Sequence, residues 1–228
     1  MIIMPGYYVK KLSAERLKRV YAIAPPRVQG YIKAEVEFVC SKIKRGDIVL
    51  DLGCGYGRII PDLTHIAQTV IGIDNSLESL QYGRDMLSHI ANCHLLCMNA
   101  VELSFRDGIF DLTVCIQNGI SAFHVNQGEL IRESIRVTKP GGIVLFSTYA
   151  EKFWPDRLEW FERQSKEGLL GEIDYEKTGN GNIICKDGFT ATTVSPAQFG
   201  KLMDGFDVDW RLEEVDESSL FCEIVKHR

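Results

Sequence analysis

The sequence predicts a single α/β domain built on a mostly parallel sheet with helices on both faces. Three observations carry that prediction. Short runs of β-branched and apolar residues alternate with amphipathic segments. The runs are apolar throughout, as strands covered on both faces are. The first run ends in a carboxylate followed by glycines at alternate positions, Asp51-Leu52-Gly53-Cys54-Gly55-Tyr56-Gly57. With 228 residues, 45% of them hydrophobic and 25% charged, the chain is long enough to bury one substantial core, so residues 1–228 are expected to form one unit.

Helices come first. Ser13 can cap a short helix through Val20, and after Pro25-Pro26 the residues Ile32, Val36, Val39 and Ile43 recur at helical spacing. Residues 1–45 therefore read as a helical cover. Gly46-Asp47 makes a turn, and Ile48-Val49-Leu50 opens the first strand. Further strands are expected at Thr69 to Ile73, His94 to Met98, Asp111 to Ile116 and Ile143 to Tyr149. Between them, Ser76 can cap a helix bearing Leu77, Leu80, Arg84 and Leu87. Gln127 to Val137 supplies another, broken by Lys139-Pro140-Gly141-Gly142.

Residues 150–194 exceed what a direct connection needs and read as an inserted lid. Pro155 starts a helix carrying Leu158, Trp160, Phe161 and Leu169, and a hairpin is expected between Glu172–Tyr175 and Asn182–Lys186 around Gly179-Asn180-Gly181. Ser195-Pro196 then starts a helix through Met203. Val208 to Glu214 and Leu220 to Val225 close the chain as an antiparallel pair about the polar turn Asp216 to Ser219.

Composition narrows the function classes. A formal charge of −5 argues against a protein whose binding energy comes from neutralising many phosphates, and favours a small-molecule partner over nucleic acid. No apolar run approaches the length of a bilayer span, and the start Met1-Ile2-Ile3-Met4-Pro5 lacks the features of a secretory leader, so a cytoplasmic protein is expected. The seven scattered cysteines do not suggest a disulfide framework. Cys93 and Cys97, with His94 between them, have the spacing of a metal site. Yet the segment reads as a buried strand and no second ligand pair exists, so no metal is expected.

The chemistry lies at the first glycine turn. In an open α/β sheet, ligands sit at the carboxyl ends of the strands. Alternating glycines there let backbone amides approach a ligand closely. A dinucleotide site would put its third glycine at the sixth position so that pyrophosphate meets a helix N-terminus; here that position is Arg58. An acid two residues before the first glycine suits a cofactor with a cationic amino-acid tail. Asp74 ends the second strand, where a carboxylate can accept hydrogen bonds from both hydroxyls of a ribose.

These features resemble the class I S-adenosylmethionine-dependent methyltransferases. The resemblance runs from about Ile48 to the C-terminus. It covers Val49 to Gly57, Gly72-Ile73-Asp74-Asn75-Ser76, Asn99-Ala100, Phe110-Asp111-Leu112-Thr113-Val114 and Arg136 to Gly142. It implies a Rossmann-like sheet of seven strands, the last antiparallel, and S-adenosyl-L-methionine as cofactor. By it, Asp51, Gly53, Cys54, Gly55, Tyr56 and Gly57 line the methionine part. Asp74, Asn75 and Ser76 take the ribose, and Asn99, Ala100 and Val101 face the adenine. Asn99 departs from the acid more usual at that place.

The loop after the fourth strand, Gln117-Asn118-Gly119-Ile120-Ser121-Ala122-Phe123-His124, faces the acceptor in that family. It lacks the Asn/Asp-Pro-Pro-aromatic tetrad of nucleic-acid amino methyltransferases, and no cysteine adjoins a proline. Methyl transfer is an in-line displacement that needs alignment and, for some acceptors, a base. His124 is the candidate base, while Gln117 and Asn118 are expected to orient cofactor or substrate. Tyr7, Tyr8 and Tyr21, with Arg27, belong to the cover; Tyr21 is expected to reach the methionine carboxylate. In the lid, Trp154, Arg157 and Trp160 share part of a helix face and suit either core packing or an anionic acceptor. A small-molecule methyl acceptor, acting on a monomer or homodimer, is the resulting expectation. An RNA or protein methyltransferase and a non-catalytic cofactor-binding module are the alternatives.

Overall fold

A computed structural model describes Tyr7 and residues 11–228. Tyr8 and residues 1–5 lie outside the described residues. Among the described residues, α1 (Ala14–Ala22) and α2 (Pro26–Lys42) precede β1 (Ile48–Leu52). There follow α3 (Ile60–Thr64), β2 (Thr69–Asp74), α4 (Leu77–Met86), β3 (Cys93–Cys97), β4 (Phe110–Cys115), α5 (Gly119–Ala122), α6 (Gln127–Val137) and β5 (Thr138–Tyr149). The chain ends with α7 (Trp154–Lys166), β6 (Ile183–Ile184), β7 (Thr190–Ala191), α8 (Pro196–Met203), β8 (Val208–Val215) and β9 (Ser219–Lys226).

The sheet has seven strands in the order β3-β2-β1-β4-β5-β9-β8. β1 pairs in parallel with β2 on one side and β4 on the other, with Asp51 opposite Gly72 and Val114. β9 runs antiparallel to both β5 and β8, which confirms the closing hairpin. Because the strand order reverses at β1, the ends of β1 and β4 flank the crevice where ligands of such sheets bind.

Apolar burial falls into three clusters. On one face of the sheet, Leu130, Ile131 and Val137 of α6 and Phe199 and Met203 of α8 meet Leu50, Val144 and Phe146. On the other, Val36 and Val39 of α2, Ile60 and Leu63 of α3 and Leu80 of α4 meet Val49, Val70 and Leu145. The third lies off the sheet. It joins Val20, Val28 and Tyr31 of the cover to Trp160, Phe161, Leu170 and Phe189 of the lid.

Local chemistry explains most boundaries. Ser76, Asn126 and Ser195 each accept a backbone N–H as helix N-caps, and Ser195 forms a reciprocal capping box with Gln198. Ser13 also precedes a helix, but its hydroxyl donates to Glu78 of α4 instead of closing its own helix. Lys139-Pro140-Gly141-Gly142 does end α6, yet β5 begins at once at Thr138. Lys139 Nζ bonds both oxygens of Asp111, 2.8 Å each, and so ties β5 to β4.

Two expectations need correction. β3 is an edge strand with only one sheet neighbour, so it is half exposed: Cys97 is exposed and Cys93 partly so, and neither is a core cysteine. No group of three or more His, Cys, Asp or Glu among the described residues has the geometry of a metal site. In the lid, Leu169 lies past the end of α7, where Gly168 turns with φ +68°. Ile183 and Ile184 pair with Ala191 and Thr190 across the turn at residues 186–188. The expected hairpin forms on their other side: Ile173 bridges Cys185, Gly179 bridges Asn182, and the amides of Asp174 and Lys186 donate to the carbonyls of Ile184 and Glu172 at 2.8 Å each. No helix among the described residues is long and apolar enough to cross a membrane.

Candidate functional site

The carboxyl ends of β1, β2, β3 and β4 bring most of the expected residues to one edge. The turn after β1 is fastened to β2: the amides of Gly53 and Cys54 both donate to the carbonyl of Ile73, at 2.8 and 2.9 Å. Gly53 and Gly55 take φ +73° and +57°, a region that costs other residues about 1–2 kcal/mol. Space is short as well. A Cβ on Gly53 would lie 2.3 Å from the Phe123 ring, and one on Gly55 would lie 2.9 Å from Leu17 of α1. Phe123 and Leu17 thus close over the glycine turn.

Asp74 braces the same turn. Its Oδ2 accepts from the Gly55 amide at 2.9 Å and its Oδ1 from Ser76 at 2.7 Å. Each oxygen keeps a lone pair for a further donor. Burial raises its pKa, while the amides of Ser76 and Gly55 pull it back. Asn75 is exposed beside it, and Ser76 spends its hydroxyl on capping α4. Beyond β3, Asn99 Oδ1 accepts from the Val101 amide at 3.2 Å, which shapes the segment, and Ala100 and Val101 rest against the core.

Asp51 lies under the turn, buried, with its Oδ2 without a hydrogen-bond partner among the described residues. Desolvation pushes its pKa up to about 7; Arg58 opposes that shift and Asp74 adds to it. Cys54 and Tyr56 are buried in the turn itself, and burial pushes the Tyr56 phenol up to about 12. Tyr21 lies against Arg58, whose guanidinium carbon is 4.4 Å from the ring centroid, and near Trp160.

At the end of β4 the backbone does something unusual. Gln117 and Asn118 both adopt left-handed conformations, φ +54° and +63°. Non-glycine residues held so are costly and persist where surroundings fix them. Here the fixing groups are visible. The Gln117 amide donates to Glu35 Oε2 at 2.9 Å. Asn118 Nδ2 donates to the Thr192 carbonyl at 2.8 Å, and its Oδ1 accepts from Thr148 at 2.9 Å. The Gln117 Nε2 is buried without a partner. His124 stands apart from this cluster, exposed just beyond α5.

In the lid, Arg157 is buried and bonds the carbonyls of Gly181 and Ala191, with its guanidinium over Tyr149 and Phe161. Trp160 Nε1 donates to the Val20 carbonyl. This trio serves packing.

Sequence reasoning missed Glu35, Arg58 and Leu17 as members of the site, and placed Phe123 only in the acceptor loop. Glu35 was legible: Val28, Tyr31, Glu35 and Val39 follow helical spacing, and an acid on that stripe must be buried. All four are fully buried. Nothing local announced that Leu17 or Phe123 would lie on the glycines.

These features meet what S-adenosylmethionine demands: a backbone cradle of glycines, an unpartnered buried carboxylate oxygen for a cationic group, and a strand-end acid with free lone pairs. The fold is that of the class I S-adenosylmethionine-dependent methyltransferases. Residues 49–142 match the family model of a methyltransferase domain. The chain is 33% identical over 131 residues to a malonyl-acyl-carrier-protein O-methyltransferase of Marinomonas sp., covering 55% of this chain and 47% of that one. It is 34% identical over 125 residues to a ubiquinone/menaquinone biosynthesis C-methyltransferase of Vibrio campbellii, covering 49% and 45%. The chain thus spans about half the length of the curated relatives it matches. The N-methyltransferase NodS of Bradyrhizobium japonicum, solved with S-adenosyl-L-homocysteine, shares the fold with a TM-score of 0.60 at 12% identity, over 96% of each chain.

Proposed function

We propose that the chain transfers a methyl group from S-adenosylmethionine to a small-molecule acceptor. The observation that carries this reading is the unpartnered Oδ2 of Asp51 beneath the glycine cradle, with Asp74 one strand away. When bound, the cofactor supplies an electrophilic methyl on a sulfonium. Asp51 and Gln117 Nε2, one an acceptor and one a donor, suit the ammonium and carboxylate of its amino-acid tail. Gly53 to Gly57 admit its approach once Phe123 and Leu17 move aside, and Asp74 holds the ribose. Asn75, Asn99, Ala100 and Val101 bound the nucleoside end.

Asn118 orients the acceptor loop by binding it to β5 and to the lid's return segment. His124, at the rim of that loop, is the group assigned to take up an acceptor proton. A groove of about 370 Å³ lined by Tyr21, Ile32, Val36 and Arg58 reaches the cover's side of the site from the surface. Two observations support a small acceptor over a nucleic acid. Residues 117–128 contain no Lys or Arg, and the chain carries a net charge of −5. The named relatives are a malonyl-acyl-carrier-protein O-methyltransferase and a ubiquinone/menaquinone biosynthesis C-methyltransferase, which supports an oxygen or carbon acceptor. Free thiols throughout the chain fit a reducing, cytoplasmic setting.

Calorimetry with S-adenosylmethionine and S-adenosylhomocysteine tests the donor, and transfer from labelled donor across a metabolite panel tests the acceptor class. Binding of both cofactor forms is expected. Failure of both at millimolar concentration would sink the reading.

A further inference from the structure

We infer that Glu35 is an acid of the donor site that selects the sulfonium cofactor over its neutral thioether product. The inference deepens the donor reading and rests on it.

Glu35 projects from α2 into the space where three elements converge. It is fully buried. Its Oε2 accepts from the Gln117 amide at the end of β4, 2.9 Å, and its Oε1 from Ser219 Oγ at the start of β9, 2.8 Å. It therefore stands one hydrogen bond from the backbone of the left-handed pair Gln117–Asn118, behind the unpartnered Gln117 Nε2.

The charges around it do not balance. Tyr31 faces it from its own helix, Tyr149 from β5, Cys115 from β4 and Arg58 from the turn after β1. The hydroxyls of Ser147 and Ser219 complete its surroundings. Arg58 is the cation that acts on both Glu35 and Asp51, and it also spreads over the Tyr21 ring. Two buried acids thus share one guanidinium. Desolvation leaves both near 7, poised between the neutral and charged forms.

A ligand that brings an ammonium and a sulfonium supplies positive charge for both acids. Methyl transfer breaks the S–CH3 bond, forms the acceptor–CH3 bond and leaves a neutral thioether, while the ammonium is unchanged. The interaction of Asp51 with the ammonium is common to donor and product. What differs is the sulfonium charge; Asp74 serves the ribose, and Glu35, bonded through the Gln117 amide to the end of β4, is the acid left to respond to it.

Calorimetry on the whole chain tests this with both cofactor forms, on the wild type and on Glu35→Gln. Glu35→Gln is expected to weaken S-adenosylmethionine about tenfold more than S-adenosylhomocysteine, the equivalent of about one pKa unit. Equal weakening of both would reduce Glu35 to a support for the loop and overturn the inference. Proton release supplies a second readout on the unaltered protein. Titrations at pH 7 in buffers of different ionisation enthalpy should show more protons released by the sulfonium form than by the thioether. Equal release would overturn the inference even if Glu35→Gln failed to fold. A wild type that binds neither form would instead overturn the donor reading beneath it.

Discussion

Replacing Gly53 with alanine tests whether the glycine turn is held by the acceptor loop. The residue sits at φ +73°, so any side chain there costs about 1–2 kcal/mol from backbone conformation alone. The new Cβ would also lie 2.3 Å from Phe123 Cζ and 2.5 Å from Cε1, against an ordinary carbon contact of about 3.5–4.0 Å. The ring must retreat, but it is packed against the main core cluster and over Gly119. Overpacking of this kind costs about 1–3 kcal/mol. Together the two effects give about 2–5 kcal/mol, or a Tm lower by roughly 4–20 °C for a chain of this length. Urea and thermal denaturation of Gly53→Ala, Phe123→Ala and the double variant separate the contributions. In the Phe123→Ala background the cost of alanine at position 53 should fall to the conformational part, about 1–2 kcal/mol. If it is the same in both backgrounds, the Phe123 contact is not what the glycine serves.

The remaining predictions concern charge and chemistry. Asp51 and Glu35 both have folded pKa values raised to about 7, so they hold protons that the unfolded chain has already released. Their effect on stability is absent below the unfolded carboxylate range and grows unfavourable as pH rises to about 7. Glu133, lowered by its hydrogen bonds to Arg136, acts oppositely and loses its contribution only in acid. Tm without ligand should therefore fall between about pH 5 and 7.5, and the fall should shrink in Asp51→Asn; a flat profile would contradict the burial of these acids. Asp74→Ala removes a brace on the Gly55 amide together with the ribose acceptor, and should weaken donor binding by about a hundredfold, from charge-assisted bonds of about 1.5–3 kcal/mol each. His124→Ala should leave donor affinity unchanged and lower turnover by about a hundredfold or more if His124 is the base; unchanged turnover removes it from that role.

The strands were readable because their interior residues are apolar in runs that end at Asp51, Asp74 and the residues before Gln117. The helix boundaries were readable wherever a single side chain sets them, as at Ser76 and Ser195. What escaped was decided by distant neighbours. β3 is as apolar as a central strand, and only the strand order makes it an edge. In the lid the turn at Gly179-Asn180-Gly181 marked one hairpin, while the further pairing of Ile183–Ile184 with Thr190–Ala191 was not read from the sequence. The nucleoside half of the site followed from residues at strand ends. The half contributed by α1, α2 and Phe123 was less legible, since it depends on how elements far apart in sequence are brought over the glycines.

The third apolar cluster has a mechanical consequence. Cover and lid share one core, fastened by the Trp160 bond to Val20, the Arg16 bonds to the carbonyls of Gly168 and Leu169, and the Lys11 and Tyr7 bonds to Asp187. The cover is tied in turn to α4, where the Ala14 amide donates to Ser79 Oγ, and the lid's return segment to β5, where the Val194 amide donates to Thr148 Oγ1. α2 runs through both cores: Val28 and Tyr31 are embedded in the one that cover and lid share, Val36 and Val39 in the sheet's, and the buried Glu35 stands where the two meet.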